Sequence, residues 1–221
     1  MKQLQSQLLS RSAPKGFSNG KRVNADLCHK ILNFIQSEDK YKWTDSDGNI
    51  TRYTINYGWD YTALEFGKYT YKEIPPCIQE ARKAVINSLN EYLPNYVIPQ
   101  FFDNIIVTIY DEGQYLIPHY DADNNPSPLT KRNFSFAEPI IGWVIQADTE
   151  SSMTFYHHNQ EGRPQMDDQY MYKAEEEDGS TFLIDKECRH FPYFHSIPKI
   201  KSKRISMTLR RTLLPDDYTK S

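Results

Sequence analysis

Residues 104–121 read NIIVTIYDEGQYLIPHYD, two apolar-rich runs on either side of a turn that contains Gly113. Short runs of β-branched and aromatic residues bounded by turn residues are typical of strands. More such runs follow to residue 214 without helical patterns between them, which predicts a sandwich or jelly roll rather than a parallel sheet. These runs are PIIGWVIQA (139–147), SMTFYHH (152–158), DQYMYKA (168–174), STFLID (180–185) and RISMTLRRTLL (204–214).

The preceding hundred residues predict helices and a hairpin. Apolar residues recur at helical spacing over residues 25–37, behind Asn24, a residue type that caps helices. A second helix should begin at Pro75 and Pro76, and the turn DSDGNI (45–50) indicates a hairpin. The expected apolar stripes are Leu27, Ile31, Leu32 and Ile35 in the first helix, and Ile78, Ala81, Val85, Ile86 and Leu89 in the second.

These patterns predict an α+β protein with a mainly β core: a double-stranded β-helix (jelly roll) with N-terminal helices and a hairpin lid. Residues 1–22 are expected to be a loose lead-in, and residues 23–100 to supply the helices and the substrate lid that support the core. Residues 101–214 form the predicted jelly-roll core, and residues 215–221 a C-terminal tail. The run EEED (175–178) is expected to be a solvated turn before a strand.

Composition limits the partners and the compartment. A net charge of −3 over 221 residues gives no global attraction to nucleic acid, so any such contact needs a local patch. Three widely separated cysteines do not make a disulfide framework and favour a reducing compartment. Since no run is apolar enough for a signal peptide or a membrane span, we expect a soluble intracellular monomer, cytoplasmic or nuclear, with no membrane partner.

His119 and Asp121 alternate at the end of the run QYLIPHYD. Side chains two positions apart on a strand point to the same face, so an imidazole and a carboxylate converge there. Two histidines and one carboxylate suit Fe(II), which keeps other positions open for substrates. The pair alone is a weak motif, because a polar loop can alternate in the same way. A third ligand must come from a distant histidine.

Four downstream histidines are candidates, and we prefer His195 because an unusual strand follows it. In RISMTLR (204–210) the apolar side chains face one way, and two arginines with two hydroxyls face the other. Guanidinium groups bind carboxylates with paired hydrogen bonds, so this face predicts a binding site for a dicarboxylic acid. The alternative is that the polar face of the strand is exposed to water. Iron together with such an acid indicates 2-oxoglutarate-dependent oxygenation. The candidates are His157, His158, His190 and His195.

With these motifs the sequence resembles the AlkB-like branch of the Fe(II)/2-oxoglutarate dioxygenases. The resemblance spans roughly residues 25–213 and is carried by TRYTINYGWDY (51–61), FDNIIVTIYDEGQYLIPHYDAD (102–123) and HSIPKIKSKRISMTLR (195–210). One departure is Thr108, which stands where the family has an asparagine and offers no amide to the co-substrate.

The resemblance implies the fold, the cofactors Fe(II), 2-oxoglutarate and O2, and a role for each matching residue. Arg204 would bind the distal carboxylate of 2-oxoglutarate, and Arg210 would lie near its iron-side carboxylate and Asp121. Tyr110 would donate its hydroxyl to the co-substrate, with Ser206 in support. The implied catalytic residues are His119, Asp121, His195 and Arg210, the first three as metal ligands; the co-substrate residues are Tyr110, Arg204, Ser206 and Arg210.

Substrate choice is expected to depend on the aromatic N-terminal half, whose rings can stack on a flipped base. The resemblance adds Asp123 as a base contact, and Trp59 and Tyr57 are the expected stacking residues. The favoured reaction is oxidative demethylation of an N-methylated nucleobase with release of succinate and CO2. Alternatives are a peptide hydroxylase of the prolyl-hydroxylase type, a small-molecule hydroxylase, or a binding module with a vestigial metal site. Basic residues that could meet phosphates are Lys131, Arg132, Lys199, Lys201, Lys203 and Arg211.

Overall fold

A computed structural model of the protein describes residues 12–59, 70–119, 121, 135–148, 150–157, 171–189 and 193–213. The helices of this part of the chain are α1 (Ala25–Ile35), α2 (Pro76–Tyr92) and α3 (Lys186–Arg189). Its strands are β1 (Phe17–Asn19), β2 (Tyr41–Thr44), β3 (Ile50–Trp59), β4 (Tyr71–Lys72), β5 (Asn104–Tyr110), β6 (Leu116–His119), β7 (Ser135–Gln146), β8 (Thr154–His157), β9 (Met171–Lys173), β10 (Thr181–Ile184), β11 (Tyr193–Ile197) and β12 (Arg204–Leu213).

The strands form two antiparallel sheets. The larger sheet has the order β1-β10-β7-β12-β5-β3-β2, with β4 also paired to β3, and the smaller sheet has the order β6-β11-β8-β9. An apolar cluster between the sheets includes Tyr110, Phe155 and Phe182. Two sheets that face each other over a shared core confirm the predicted jelly roll, with α1 and α2 on the outer side of the larger sheet.

Strand β12 separates the two sides of the larger sheet. Ile205, Met207 and Leu209 are buried in a cluster that also contains the apolar faces of α1 and α2. Because side chains alternate along a strand, Arg204 and Arg210 lie on the opposite face, toward the smaller sheet. The predicted alternation of β12 therefore places its arginines inside the jelly roll.

Both long helices form close to where their sequence patterns predict them. The side chain of Asn24 accepts a hydrogen bond from the backbone N–H of Asp26 at 2.8 Å and so caps α1. Helix α2 begins at Pro76, where a proline costs no hydrogen bond. In α2 every residue of the predicted apolar stripe is buried, which fixes the helix against the larger sheet.

The expectation of a loose segment over residues 1–22 is wrong for its described part. Strand β1 pairs with β10, and Phe17 packs against Phe155 with the ring centroids 4.9 Å apart. A three-residue strand is too short to show alternation in the sequence, so only its pairing with β10 reveals it. Residues 1–11 and the tail after residue 213 lie outside the described residues.

The expected hairpin forms between β2 and β3. Strand β3 pairs with β5 from Tyr53 to Gly58, so the hairpin extends the larger sheet of the core. Strands from both sides of the boundary predicted near residue 100 therefore belong to the same sheet. Residues 60–69 lie outside the described residues. In the described part of the chain, no helix is both long and apolar enough to cross a membrane.

Candidate metal centre and co-substrate site

Two histidines meet across a pair of strands in the smaller sheet. In the register of β6 and β11, His119 lies opposite His195, and the ring centroids are 4.4 Å apart. Directly opposed residues of an antiparallel pair project from the same face, so the two imidazoles point to one place. The sequence did not predict β11 as a strand, although it did favour His195 as the third ligand.

Asp121 completes the cluster two residues after His119. Its Oδ1 lies 3.7 Å from Nε2 of His119, and its Oδ2 lies 3.5 Å from Nε2 of His195. Two atoms that each bind one ion at about 2.1 Å can be at most about 4.2 Å apart, so both distances are compatible with a shared metal ion. The potential ligand atoms of the three residues all lie within 4.8 Å of one another.

The protonation states of the cluster suit metal binding. Burial lowers the pKa of His195 to about 3, and the nearby His119 and Arg210 act in the same direction, so its imidazole is neutral at physiological pH. Burial alone would raise the pKa of Asp121, but the neighbouring His119, His195 and Arg210 hold it well below its usual range. A carboxylate and a neutral imidazole are the forms that bind metals.

The orientation of His119 also fits a ligand role. Its Nδ1 lies 3.0 Å from the backbone carbonyl of Ile117, so an Nδ1–H donor leaves Nε2 with its lone pair toward the cluster. Two imidazoles and one carboxylate on one side of an ion form the facial donor set of non-haem Fe(II) sites. The residues present therefore fit an Fe(II) ion.

Two arginines surround Asp121. A terminal nitrogen of Arg210 lies 3.7 Å from Oδ1 of Asp121, as predicted for a residue beside the iron-side carboxylate. The sequence did not single out the fully buried Arg189. Its Nη2 donates to the backbone carbonyls of Asp121 and Phe136 at 3.0 and 3.1 Å, and so holds the ligand's main chain. Because α3 is a single helical turn, its sequence is too short to show helical periodicity, and no pattern in the sequence pointed to Arg189.

Two of the remaining predicted co-substrate residues, Arg204 and Ser206, lie at the other end of the inner face of β12, and Tyr110 lies opposite Arg204 on β5. We call Arg204, Ser206, Thr208 and Arg210 the co-substrate strip. Nη1 of Arg204 donates to Oγ of Ser206 at 2.9 Å, and the Arg204 guanidinium carbon lies 5.9 Å from the centroid of the Tyr110 ring. Burial raises the pKa of Tyr110, which keeps the phenol protonated as a potential donor.

One residue beside the co-substrate strip contradicts a prediction made from the sequence. The run EEED was expected to be a solvated turn, yet Glu176 is buried and bound to Arg204 through two hydrogen bonds of 2.8 Å. Its neighbours Glu175 and Glu177 are exposed, as expected. Side chains that alternate in this segment leave one carboxylate inside, and a buried arginine needs such a partner.

Two of the expected substrate contacts lie apart from the cluster or outside the described residues. Tyr57 is fully buried on the helix-covered side of the larger sheet, where its hydroxyl donates to Glu38 at 3.0 Å. This placement corrects its expected role as a stacking residue. Asp123 lies outside the described residues. Trp59 is partly exposed and packs edge-on against Tyr71 with a centroid distance of 5.4 Å.

The structure describes one of the three alternative histidines and four of the six basic residues. His157 is on β8 and packs against Tyr193, outside the metal cluster. Lys203 pairs with Asp111 at 3.1 Å, and Arg211 donates to the backbone carbonyl of Glu138. Lys199 and Lys201 are exposed. The candidates outside the described residues are His158, His190, Lys131 and Arg132.

Comparison with known proteins identifies the fold. No family model and no curated protein matches the sequence. The structure of OsALKBH1, an AlkB homologue, superposes with a TM-score of 0.63 at 19% identity, over 90% of this chain and 99% of that chain. SnoN, an alpha-ketoglutarate-dependent epimerase from nogalamycin biosynthesis, gives 0.56 at 15% identity, over 96% and 83%. A 2OG-Fe(II) oxygenase family protein from Burkholderia pseudomallei gives 0.54 at 12% identity, over 88% and 84%.

The chain therefore has the jelly-roll fold of the Fe(II)/2-oxoglutarate oxygenases. Within that class, its fold is similar to that of an AlkB homologue, as the sequence motifs predicted.

Proposed function

We propose that this protein is an Fe(II)- and 2-oxoglutarate-dependent dioxygenase that hydroxylates a C–H bond. The observation that carries the proposal is the convergence of His119, Asp121 and His195, whose potential ligand atoms lie within 4.8 Å of one another. Arg210 lies beside this cluster, and Arg204 lies at the far end of the same strand face. A metal site and a guanidinium on one continuous surface are what a chelating 2-oxo dicarboxylate requires.

The three ligands would hold Fe(II), and the inner face of β12 would hold 2-oxoglutarate. When bound, iron and 2-oxoglutarate would provide the chemistry by which O2 oxidises the substrate, with release of succinate and CO2. The chain itself provides orientation. Arg189 fixes the main chain of Asp121, and the Tyr110 hydroxyl remains a donor toward the co-substrate. His119, His195 and Arg210 together favour the ionised form of Asp121, which a metal ion would need.

The favoured reaction is oxidative demethylation of an N-methylated nucleobase. Its support is the fold similarity to OsALKBH1, together with aromatic side chains that reach the surface of the β3–β4 region. Tyr71 is 57% exposed and Trp59 packs against it, and rings of this kind can stack on a base. The exposed Lys199 and Lys201 are available to phosphates. Nucleic acid is therefore the first substrate class to test.

The decisive experiment measures succinate release from 2-oxoglutarate with Fe(II) and ascorbate, using N-methylated and unmethylated oligonucleotides. Methyl-dependent succinate, with loss of the methyl mass from the oligonucleotide, is the expected result. The His195→Ala variant should lose iron-dependent succinate release. The matched variant His157→Ala, which changes a histidine on the neighbouring strand, should retain it.

Other outcomes separate the alternatives. Slow succinate release that ignores the oligonucleotide would retain the oxygenase and reject the nucleobase substrate. Peptides and small molecules would then be tested, in line with the prolyl-hydroxylase-type and small-molecule alternatives. Absence of iron-dependent succinate under all conditions would contradict the proposed enzyme and favour a binding module.

A further inference from the structure

Arg204 already has a carboxylate partner within the protein. Oε2 of Glu176 accepts a hydrogen bond from Nε of Arg204 at 2.8 Å, and Oε1 accepts one from Nη2 at the same distance. Oε1 also lies 3.3 Å from the backbone nitrogen of Met153, which donates to it. Both side chains of the pair are only 2% exposed. The guanidinium and the carboxylate therefore form a buried unit with no net charge.

The pair leaves part of the guanidinium free to bind a ligand. A guanidinium has five N–H groups. Three of them donate to Glu176 and to Oγ of Ser206, so one on Nη1 and one on Nη2 have no acceptor among the described residues. These two nitrogens form the tip of the side chain. A second carboxylate can bind that tip with paired hydrogen bonds.

We propose that Glu176 is a specificity-determining residue of the co-substrate strip. Glu176 neutralises Arg204. The site therefore binds a 2-oxo acid that ends in a carboxylate with a smaller gain in affinity over one that ends in an uncharged group. This inference rests on the proposed function, since it assigns a property to the 2-oxo acid site of that enzyme.

The physical reason is the charge balance around Arg204. A buried arginine without a partner would strongly favour a carboxylate and would reject an uncharged end, which leaves the cation unpaired. With Glu176 present, an uncharged end leaves a neutral pair. A carboxylate end instead brings two negative charges to one guanidinium, and like charges in a buried site repel. The preference for a dicarboxylate is therefore smaller than Arg204 alone would give.

The test is calorimetric binding to the protein loaded with Mn(II), which avoids any dependence on turnover. The two probes are 2-oxoglutarate and 5-methyl-2-oxohexanoate, in which an isopropyl group replaces the distal carboxylate at similar shape. The wild-type protein should bind the two with dissociation constants within about tenfold of each other. The Glu176→Gln variant should bind 2-oxoglutarate at least about tenfold more tightly, without a gain for the uncharged probe. The control Glu175→Gln removes an exposed neighbouring charge and should change neither value.

Each contrary outcome has a distinct meaning. Equal or weaker binding of 2-oxoglutarate to Glu176→Gln would overturn the inference and leave the oxygenase intact, with Glu176 acting only to hold Arg204. If that variant does not fold, the wild-type ratio decides: a preference for 2-oxoglutarate greater than about a hundredfold would overturn the inference. If the wild-type protein binds neither probe and releases no succinate, the proposed function fails and this inference fails with it.

Discussion

Acidification should destabilise the metal-free protein through His195. Burial lowers the pKa of this residue from 6.5 to about 3 in the folded state, whereas the unfolded chain protonates it near the ordinary value. Between these two values the unfolded state binds a proton that the folded state excludes. The stability contributed by the neutral imidazole is therefore fully present above pH 6.5 and falls as the pH is lowered toward 3.

The size of this effect follows from the shift. Each pH unit below the unfolded pKa costs about 1.4 kcal/mol, so stability should fall by about 2 kcal/mol between pH 6.5 and about pH 5. Over this range the carboxylates, which titrate near pH 4 when unfolded, contribute little. The interval therefore isolates the histidine contribution.

Urea unfolding in the presence of a chelator, at about pH 7.5 and about pH 5, measures the change. His195→Gln, which cannot be protonated, should remove about 2 kcal/mol of the pH dependence. The control His29→Gln changes an exposed histidine of α1 and should keep the wild-type pH dependence. If His195→Gln retained the full wild-type loss on acidification, the reasoning about burial of the neutral imidazole would be refuted.

Three further substitutions test the positions assigned to individual side chains. Phe17→Ala should cost about 3–4 kcal/mol of unfolding free energy in urea titrations, because Phe17 is buried between the sheets; a loss below about 1 kcal/mol would argue against β1 as a packed strand. Tyr57→Phe should cost about 1 kcal/mol, because the bond to Glu38 is lost, while succinate release stays unchanged; a clear fall in turnover would restore Tyr57 as a substrate contact. Arg189→Met should weaken Mn(II) binding in titrations, since the main chain of Asp121 loses its donor; unchanged affinity would contradict a positioning role.

Local patterns in the sequence were sufficient for several elements. The helical stripe of α2 and the alternation of β12 each depend on neighbours a few residues away, and both appear in the structure. His119 and Asp121 also needed only the two-residue repeat of a strand. The choice of His195 came from the arginine-bearing strand RISMTLR that follows it, and the motifs of the family resemblance agreed with that choice.

Tertiary structure alone decided the features that depend on pairing between distant segments. Whether His195 lies opposite His119 is a matter of strand register, and β11 has no clear alternation of its own. The same holds for β1, which is a strand only because β10 offers an edge. Register is set by the summed packing of both strands, which no single segment contains.

The co-substrate strip shows this division most clearly. Its sequence determines that Arg204 and Arg210 share a face, because side chains alternate along any strand. Sequence also determines that residues 175–178 are acidic, but their composition favours solvent. Only the fold brings Glu176 into contact with Arg204, across 28 positions of sequence, because a buried guanidinium must find a carboxylate in the interior.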